Sequence, residues 1–528
     1  MGMTEEPYAP RTVKPRSRKY KRLPVVALDS HSCLFENGEI RDISDVCLSL
    51  QDHQPTLFAM VGSADFLSEL DEHYHALHPK SWQYRATSNE RGIIRPDGMK
   101  VAARVTVAVH FFGFKTGKFH KLIDPVTMYG HKLDDIWPGD QPHLQRLLAW
   151  AVHIRDFCAD NQMDVRPTIG AISAQFLTDP RFYPDKRRKV PRQINQRARE
   201  ELPGNHYALA VTPTPKHEYT AWYLDQRQAH HYHAQHTPLP SSNSLYAYGS
   251  FLRLKSDDIV WDKPAEGFYG LYCLDLCAPP KHIPFDWISH KTKAWHDGIN
   301  FVFSNELQHV LDMGYTINGV RAAWGSFERD TGLALYAQFA GEQLDRYDNQ
   351  PWIKPLLLAT YGTLATRAGH GETIFRLAKR GTPVEVLTGR RTLPGILTRR
   401  PHKLEPGIAN VIHRGMIEAG CRSESVGLAQ HLEHLGFHVL SIYADAVIVR
   451  QDGDKNLPEL FNPWRIKATL NHLQFLSKQA FMSGEMTKLP GVNRESLKYR
   501  QRAPGHAPHK TMIEALTGYR TRHKTRRI

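Results

Sequence analysis

The sequence predicts an α+β fold spread over several domains, and three observations predict it. Stretches with apolar residues at helical spacing are interspersed with short strand-like runs, the pattern of helices among antiparallel strands. At 528 residues the chain exceeds one ordinary domain and suggests three or four. A Pro-rich, basic stretch at residues 179–201 separates two portions whose patterns differ.

The elements follow in order. Residues 1–22, rich in Pro, Lys and Arg, read as a disordered arm. A strand-like run at 23–28 ends at Asp29, and 101–114 reads as one or two further strands. HLQRLLAWAVHIRDFCA, from His143, carries apolar residues at helical spacing and predicts a helix. Past the break, strands are expected at 207–212, 219–224, 270–276 and 319–324, the second ending before Asp225. Helices are expected at 305–313, 354–366 and 414–435, and 438–449 splits into two strands.

Hydrophobic residues make up 41% and charged residues 23%, as in a soluble globular protein. No apolar run reaches the ~20 residues needed to span a bilayer, so no membrane partner is expected. The six cysteines are scattered apart from Cys273 and Cys277, which suits thiols in a reducing cytoplasm. The net charge of +14 is concentrated in basic clusters at 11–22, 186–199, 390–403 and 498–527. Clustered cations neutralise phosphates and release counterions, so nucleic acid is the expected partner, against the plainer reading of solvated surface runs.

Two segments stand out for chemistry. In AWYLDQRQAHHYHA, Asp225 follows a strand, and in GFHVLSIYADAVIV, Asp445 lies between two apolar runs able to form a hairpin. Two-metal phosphoryl transfer needs carboxylates from separate strands to meet around a pair of divalent ions. An Asp between apolar strands is costly to bury without a partner, and a metal is the partner expected here. The alternative for Asp225 is a turn or a helix cap. Asp275, in YCLDLC, is a rival ligand or a solvated-face residue. The run HHYHAQH at 230–236 allows a zinc reading, or a polar loop beside a phosphate site.

The order of these segments resembles the family-B DNA polymerases over roughly residues 203–492, with the layout of the protein-primed enzymes of phages and mobile elements. LPGNHYALA, 202–210, is similar to the family's Tyr-x-Gly-Gly element, and Asp225 to the aspartate of motif A. KPLLLATYG, 354–362, resembles motif B and SIYADAVIV, 441–449, motif C. FLSKQAF, 475–481, and KLPGV, 488–492, resemble the late Lys-x-Tyr region and the Gly-Val after it. His230 stands where the family has a tyrosine against the nucleotide sugar. Motif B has Leu358 and Ala359 in place of Asn-Ser. Motif C has one aspartate where the family has two. Asp445 matches either the first, with Tyr443 keeping the Tyr-x-Asp spacing and Val447 at the second, or the second, with Tyr443 at the first. The second register is preferred because Ala-Val-Ile-Val then continues the strand.

The resemblance implies a right-hand polymerase of palm, fingers and thumb behind a degenerate RNase-H-like exonuclease-type domain. The expected partition is an arm at 1–22, the exonuclease-like domain at 23–178, a basic linker at 179–203, palm at 204–340 and 406–460, fingers at 341–405, and thumb with basic tail at 461–528. It implies two Mg²⁺ ions, or Mn²⁺ in their place, on Asp225 and Asp445. The expected partners are primer-template DNA, dNTPs and, for the protein-primed type, a terminal protein. Location is the cytoplasm, that of the host for a viral protein. Pro351 and Pro355 put Lys354 near the first turn of its helix, where N–H groups and a cation suit a triphosphate. Tyr361, seven residues on, shares that face, and Arg346 is a second phosphate candidate. In the N-terminal domain the family's Asp-x-Glu is matched by Asp29 and His31, and its late carboxylate by Asp156. Two competing expectations remain: a nucleic-acid-binding replication protein that has lost the chemistry, and an RNase-H-type nuclease centred on Asp29 and Asp156.

Overall fold

A computed structural model gives the fold. It describes residues 22–42, 56–61, 121–183, 219–249, 259–278, 299–365 and 409–483 except for a few single positions within them, plus short strands and isolated positions elsewhere. Most of the four basic clusters, and most of the strands expected at 101–114, lie outside the described residues. The chain forms two units, 1–192 with 331–410, and 193–330 with 411–528.

The first unit opens with β1 (Val25–Leu28), β2 (Ser32–Phe35), β3 (Ile40–Asp42) and β4 (Leu57–Met60). A separate antiparallel sheet of β5 (Gln83–Ala86), β6 (Arg91–Ile94) and β7 (Lys100–Ala102) precedes β8 (Lys121–Ile123). The main sheet runs β3-β2-β1-β4-β8, antiparallel from β1 to β3 and parallel from β1 to β8. β1 and β4 are continuous buried runs, VVAL and LFAM, as strands buried on both faces should be. After α1 (Pro125–Tyr129) and α2 (Leu133–Ile136), α3 (His143–Asp160) lies against β1, β2 and β4. Its Leu147, Trp150, Ala151, Ile154 and Phe157 recur at helical spacing and form the buried stripe. The short α4 (Ile169–Ser173) follows, with Thr168 Oγ1 capping it from Ala171 N–H.

The second unit begins with β9 (Ala208–Ala210) and β10 (Tyr219–Gln226), then α5 (Ala229–His236). A four-stranded sheet follows from β11 (Tyr246–Tyr248), β12 (Tyr269–Cys277), β13 (Ile299–Phe303) and, after α6 (Leu307–Asp312), β14 (Thr316–Ser326), in the order β11-β14-β12-β13. The chain returns to the first unit for α7 (Gly332–Arg346), α8 (Ile353–Leu364) and the strand pair β15 (Thr373–Ile374) and β16 (Thr398–Arg399). It re-enters the second unit with α9 (Val411–His434), β17 (Val439–Tyr443), β18 (Ala446–Arg450), β19 (Trp464–Ser477), β20 (Ala480–Met482) and β21 (Thr487–Lys488).

Seven of these strands make one sheet in the order β21-β20-β19-β10-β18-β17-β9. β10 is its centre, flanked antiparallel by β18 and β19. Alternation sorts its side chains onto two faces. Trp222 and Leu224 join Val447, Val449, Val426 and Ala429 in the large core that also takes in β12 to β14 and α9. Ala221 and Tyr223 join Ala446, Ile448, Leu470 and Leu473 in a smaller cluster on the other face. β19, from the 461–528 stretch expected to be the thumb, pairs with β10 in this sheet. Its polar residues, exposed at Arg465, Lys467 and Thr469, hid the strand pattern.

Candidate active site

β10 continues through Asp225 instead of stopping before it, and its last two residues build the site. Asp225 lies opposite Ala446 on β18 and opposite Arg465 on β19. Tyr443 and Ala446 close the β17–β18 hairpin as a cross-strand pair, so Asp445 sits in the turn at its tip. The Gln226 N–H donates to the Asp445 carbonyl at 2.9 Å, which ties the hairpin tip to the residue after Asp225. On the other edge the Arg227 N–H donates to the Pro463 carbonyl at 2.8 Å. The backbones of the two aspartates therefore adjoin, Asp225 at the end of its strand and Asp445 in the neighbouring turn. Val447 lies opposite Leu224 and is fully buried with it, on the face away from Asp225.

The Asp225 side chain is only 9% exposed, yet both oxygens are engaged. Lys467 Nζ donates to Oδ1 at 3.1 Å and Arg465 Nη2 to Oδ2 at 3.4 Å. Lys467 also lies 5.3 Å over the Tyr223 ring. Sequence reading missed both cations. The signal lay in strand alternation, which puts Arg465 and Lys467 on one face of β19.

Behind Asp225 the polar groups are buried. The Gln226 side chain donates to the Cys421 carbonyl at 2.9 Å and to Ser425 Oγ at 3.0 Å, and accepts from His233 Nε2 at 2.8 Å. The 230–236 run is helix α5, which overturns the polar-loop reading: His231 and His233 point into the protein against α9. The close approach requires Gly420, since a Cβ there would lie 2.6 Å from His233 Nδ1. Burial, then the neighbouring His236, pushes the His233 imidazole down to about 4. His230 is pushed down to about 3 by burial first and then by Arg414 and the adjacent histidines. Burial and next the Asp445 carboxylate push the Cys421 thiol up, so the hairpin tip lies beside α9.

Among the described residues no group of three or more His, Cys, Asp and Glu is placed to hold a metal, which removes the zinc reading there. The donor set of Asp225 and Asp445 fits Mg²⁺, a hard ion usually held by one or two carboxylates with water and phosphate oxygens completing its shell. Asp275 pairs with Arg321 at 2.5 Å and is half-buried, a structural ion pair.

In the first unit, Lys354 is exposed in the first turn of α8, as expected. Arg346 is exposed at the C-terminal end of α7, with its guanidinium 5.7 Å from the Tyr347 ring. Tyr361 is a correction. It is fully buried, 5.9 Å from the Tyr336 ring. The later turns are fixed by Tyr336 Oη donating to the Leu357 carbonyl at 2.7 Å, and by Thr360 Oγ1 donating to Tyr336 Oη at 2.7 Å.

The Asp29–Asp156 centre is a second correction. Asp29 Oδ1 accepts from His31 N–H at 2.9 Å and from Ser32 N–H at 2.7 Å, an Asx turn closing the β1–β2 connection. Partial burial raises its carboxyl, but these bonds outweigh that and hold it below the usual range. Asp156 instead joins Arg155 at 2.9 Å and Arg22 at 3.6 Å, and Arg155 donates to the Leu23 carbonyl at 3.0 Å. Leu23 is at the opposite end of β1 from Asp29. A strand rises about 3.3 Å per residue, so Leu23 and Asp29 are roughly 20 Å apart along β1, and Arg155, the partner of Asp156, bonds at the end away from Asp29.

No family model matches the sequence, and no curated protein matches it. Solved structures do. Phi29 DNA polymerase complexed with primer-template DNA is similar at a TM-score of 0.55 and 11% identity, over 92% of this chain and 94% of that one. The same polymerase with primer-template DNA and incoming nucleotides gives 0.53 and 11% over the same shares. Its orthorhombic crystal form gives 0.52 and 12%, over 90% and 94%. The fold of this chain is therefore that of phi29 DNA polymerase, a family-B right hand of palm, fingers and thumb behind an exonuclease-type domain.

Proposed function

We propose that the protein is a template-directed DNA polymerase that adds dNTPs to a primer 3′-hydroxyl or to a terminal-protein hydroxyl. The observation that supports this is the backbone of Asp225, on the central strand, adjoining that of Asp445, at the tip of the neighbouring hairpin. Asp225 and Asp445 would hold two Mg²⁺ ions, or Mn²⁺, which activate the attacking oxygen and stabilise the leaving pyrophosphate. The chain's own contribution is to fix both carboxylates at one end of β10. Lys467 and Arg465 keep Asp225 charge-compensated, and both are exposed enough to move aside. By the sequence resemblance, Lys354, at a helix N-terminus, and Arg346 are the candidate cations for the triphosphate, and His230 the candidate for the nucleotide sugar.

The test is primer extension with Mg²⁺. Asp225→Asn and Asp445→Asn should each lower the rate on the order of 1000-fold with DNA binding retained. Activity of either variant near wild type would remove the assignment. A second reading, a DNA-binding replication protein without polymerase activity, is favoured by Val447 in the core and by Asp225 already paired with two cations. It predicts DNA binding with no extension by wild type. The nuclease reading is weighed against by Asp29 being used in an Asx turn and Asp156 being paired with Arg22 and Arg155.

A further inference from the structure

We infer that Gln226 is a positioning residue for the Asp225–Asp445 metal cradle, acting through a buried clamp on α5 and α9. The inference rests on the polymerase reading of those two aspartates. Gln226 is only 2% exposed, at the end of the strand that carries Asp225. A buried primary amide is tolerated when its donors and acceptor are used, and here all are. Nε2 donates to the Cys421 carbonyl and to Ser425 Oγ, while Oε1 accepts from His233. Ser425 Oγ in turn donates to the Cys421 carbonyl at 2.8 Å, which closes the network on α9. The backbone of the same residue donates to the Asp445 carbonyl.

One residue therefore joins four parts of the site: the Asp225 strand, the Asp445 turn, α5 and α9. Its side chain fixes the strand end against the two helices, and its N–H carries that fixed position to the hairpin tip. Mg²⁺ and Mn²⁺ hold strict geometry, so a strand end able to shift by a fraction of an ångström lowers metal affinity without removing a ligand. Leu or Val in place of Gln would leave the strand packed and the cradle unfixed.

The experiment is Mn²⁺ titration followed by electron paramagnetic resonance on the full chain, for wild type, Asp225→Asn, Gln226→Leu and Ser425→Ala. The Mn²⁺ that Asp225→Asn loses defines the cradle. Gln226→Leu should raise the Kd of that site about 10-fold, and extension should recover at saturating Mn²⁺. An unchanged Kd in a folded Gln226→Leu protein overturns the inference, even with a lowered melting temperature. Ser425→Ala, which keeps the Cys421 bond, should weaken the site about threefold, and if Gln226→Leu does not fold, an unchanged Kd there overturns it instead. A wild type with no Mn²⁺ site sensitive to Asp225→Asn overturns the polymerase reading and this inference together. Intact wild-type binding with an unmoved Gln226→Leu overturns this inference alone.

Discussion

On the proposed two-metal reading, a divalent ion reaching Asp225 would have to displace Lys467 and Arg465, whose side chains are 41% and 50% exposed. An exposed ion pair of this kind is worth about 0.2–1 kcal/mol. Lys467→Met should accordingly tighten Mn²⁺ binding by up to about fivefold, read from the same spectroscopic titration. Lys354→Ala should act elsewhere. Loss of a charge-assisted contact of about 1.5–3 kcal/mol should raise the dNTP concentration for half-maximal extension roughly 10- to 150-fold, with duplex binding nearly intact in a gel-shift titration. At this scale the sequence was readable where chemistry conflicts with pattern. Asp225 and Asp445 show because a carboxylate among apolar strand residues conflicts with burial. Gln226 does not show, because an amide beside an aspartate looks like the next surface residue until its partners on α5 and α9 are known. Tyr361 misled for the opposite reason. Helical spacing puts it on the Lys354 face, and spacing alone does not say where α8 passes into the core.

The helix α9 carries several glycines in its interior, each costing about 1 kcal/mol relative to Ala in helix propensity. Two are retained for close packing. A Cβ at Gly415 would lie 2.1 Å from the Phe303 ring, and one at Gly420 2.6 Å from His233. At Gly427 the nearest atom is an ordinary 3.4 Å away. Gly415→Ala should therefore destabilise by about 1–3 kcal/mol, while Gly427→Ala should stabilise by about 0.5–1 kcal/mol, compared as urea midpoints at constant slope. The ion pair of Arg422 with Glu306, both nearly inaccessible, fixes the same helix to the turn after β13. Elements with one clear period were legible: α3, α8, α9 and the β17–β18 hairpin follow the expected ranges within a few residues. β19 was not, because half its residues face solvent and its pairing partner is distant in sequence.

For the whole molecule, the buried histidines set a dependence on pH. His233 titrates near 4 in the folded protein against about 6.5 when unfolded, so the unfolded chain binds the extra proton between those values. Its contribution is complete above pH 6.5 and is lost as pH falls. Stability should drop by about 1.5 kcal/mol between pH 6.5 and 5 from this residue alone. His233→Gln, which keeps a donor for Gln226, should flatten the dependence by that amount in urea unfolding at the two pH values. An identical pH slope in the variant would show that His233 is not the titrating group.

The path of the chain through its two units bears on how the protein is made. β10 ends at Gln226, and its neighbours β18 and β19 begin at Ala446 and Trp464, so the nearer one follows 220 residues later. At about 5–20 residues per second, the ribosome leaves the strand that carries Asp225 without either neighbour for roughly 10–45 s. YTAWYLDQ is apolar and aromatic over most of its length, the kind of segment that associates with other chains while it waits. Soluble yield should therefore depend on translation speed between 226 and 446 and on holdase chaperones, more than on the stability of the finished fold. A chain stopped between 226 and 446 keeps Asp225 and lacks both strands that shelter it.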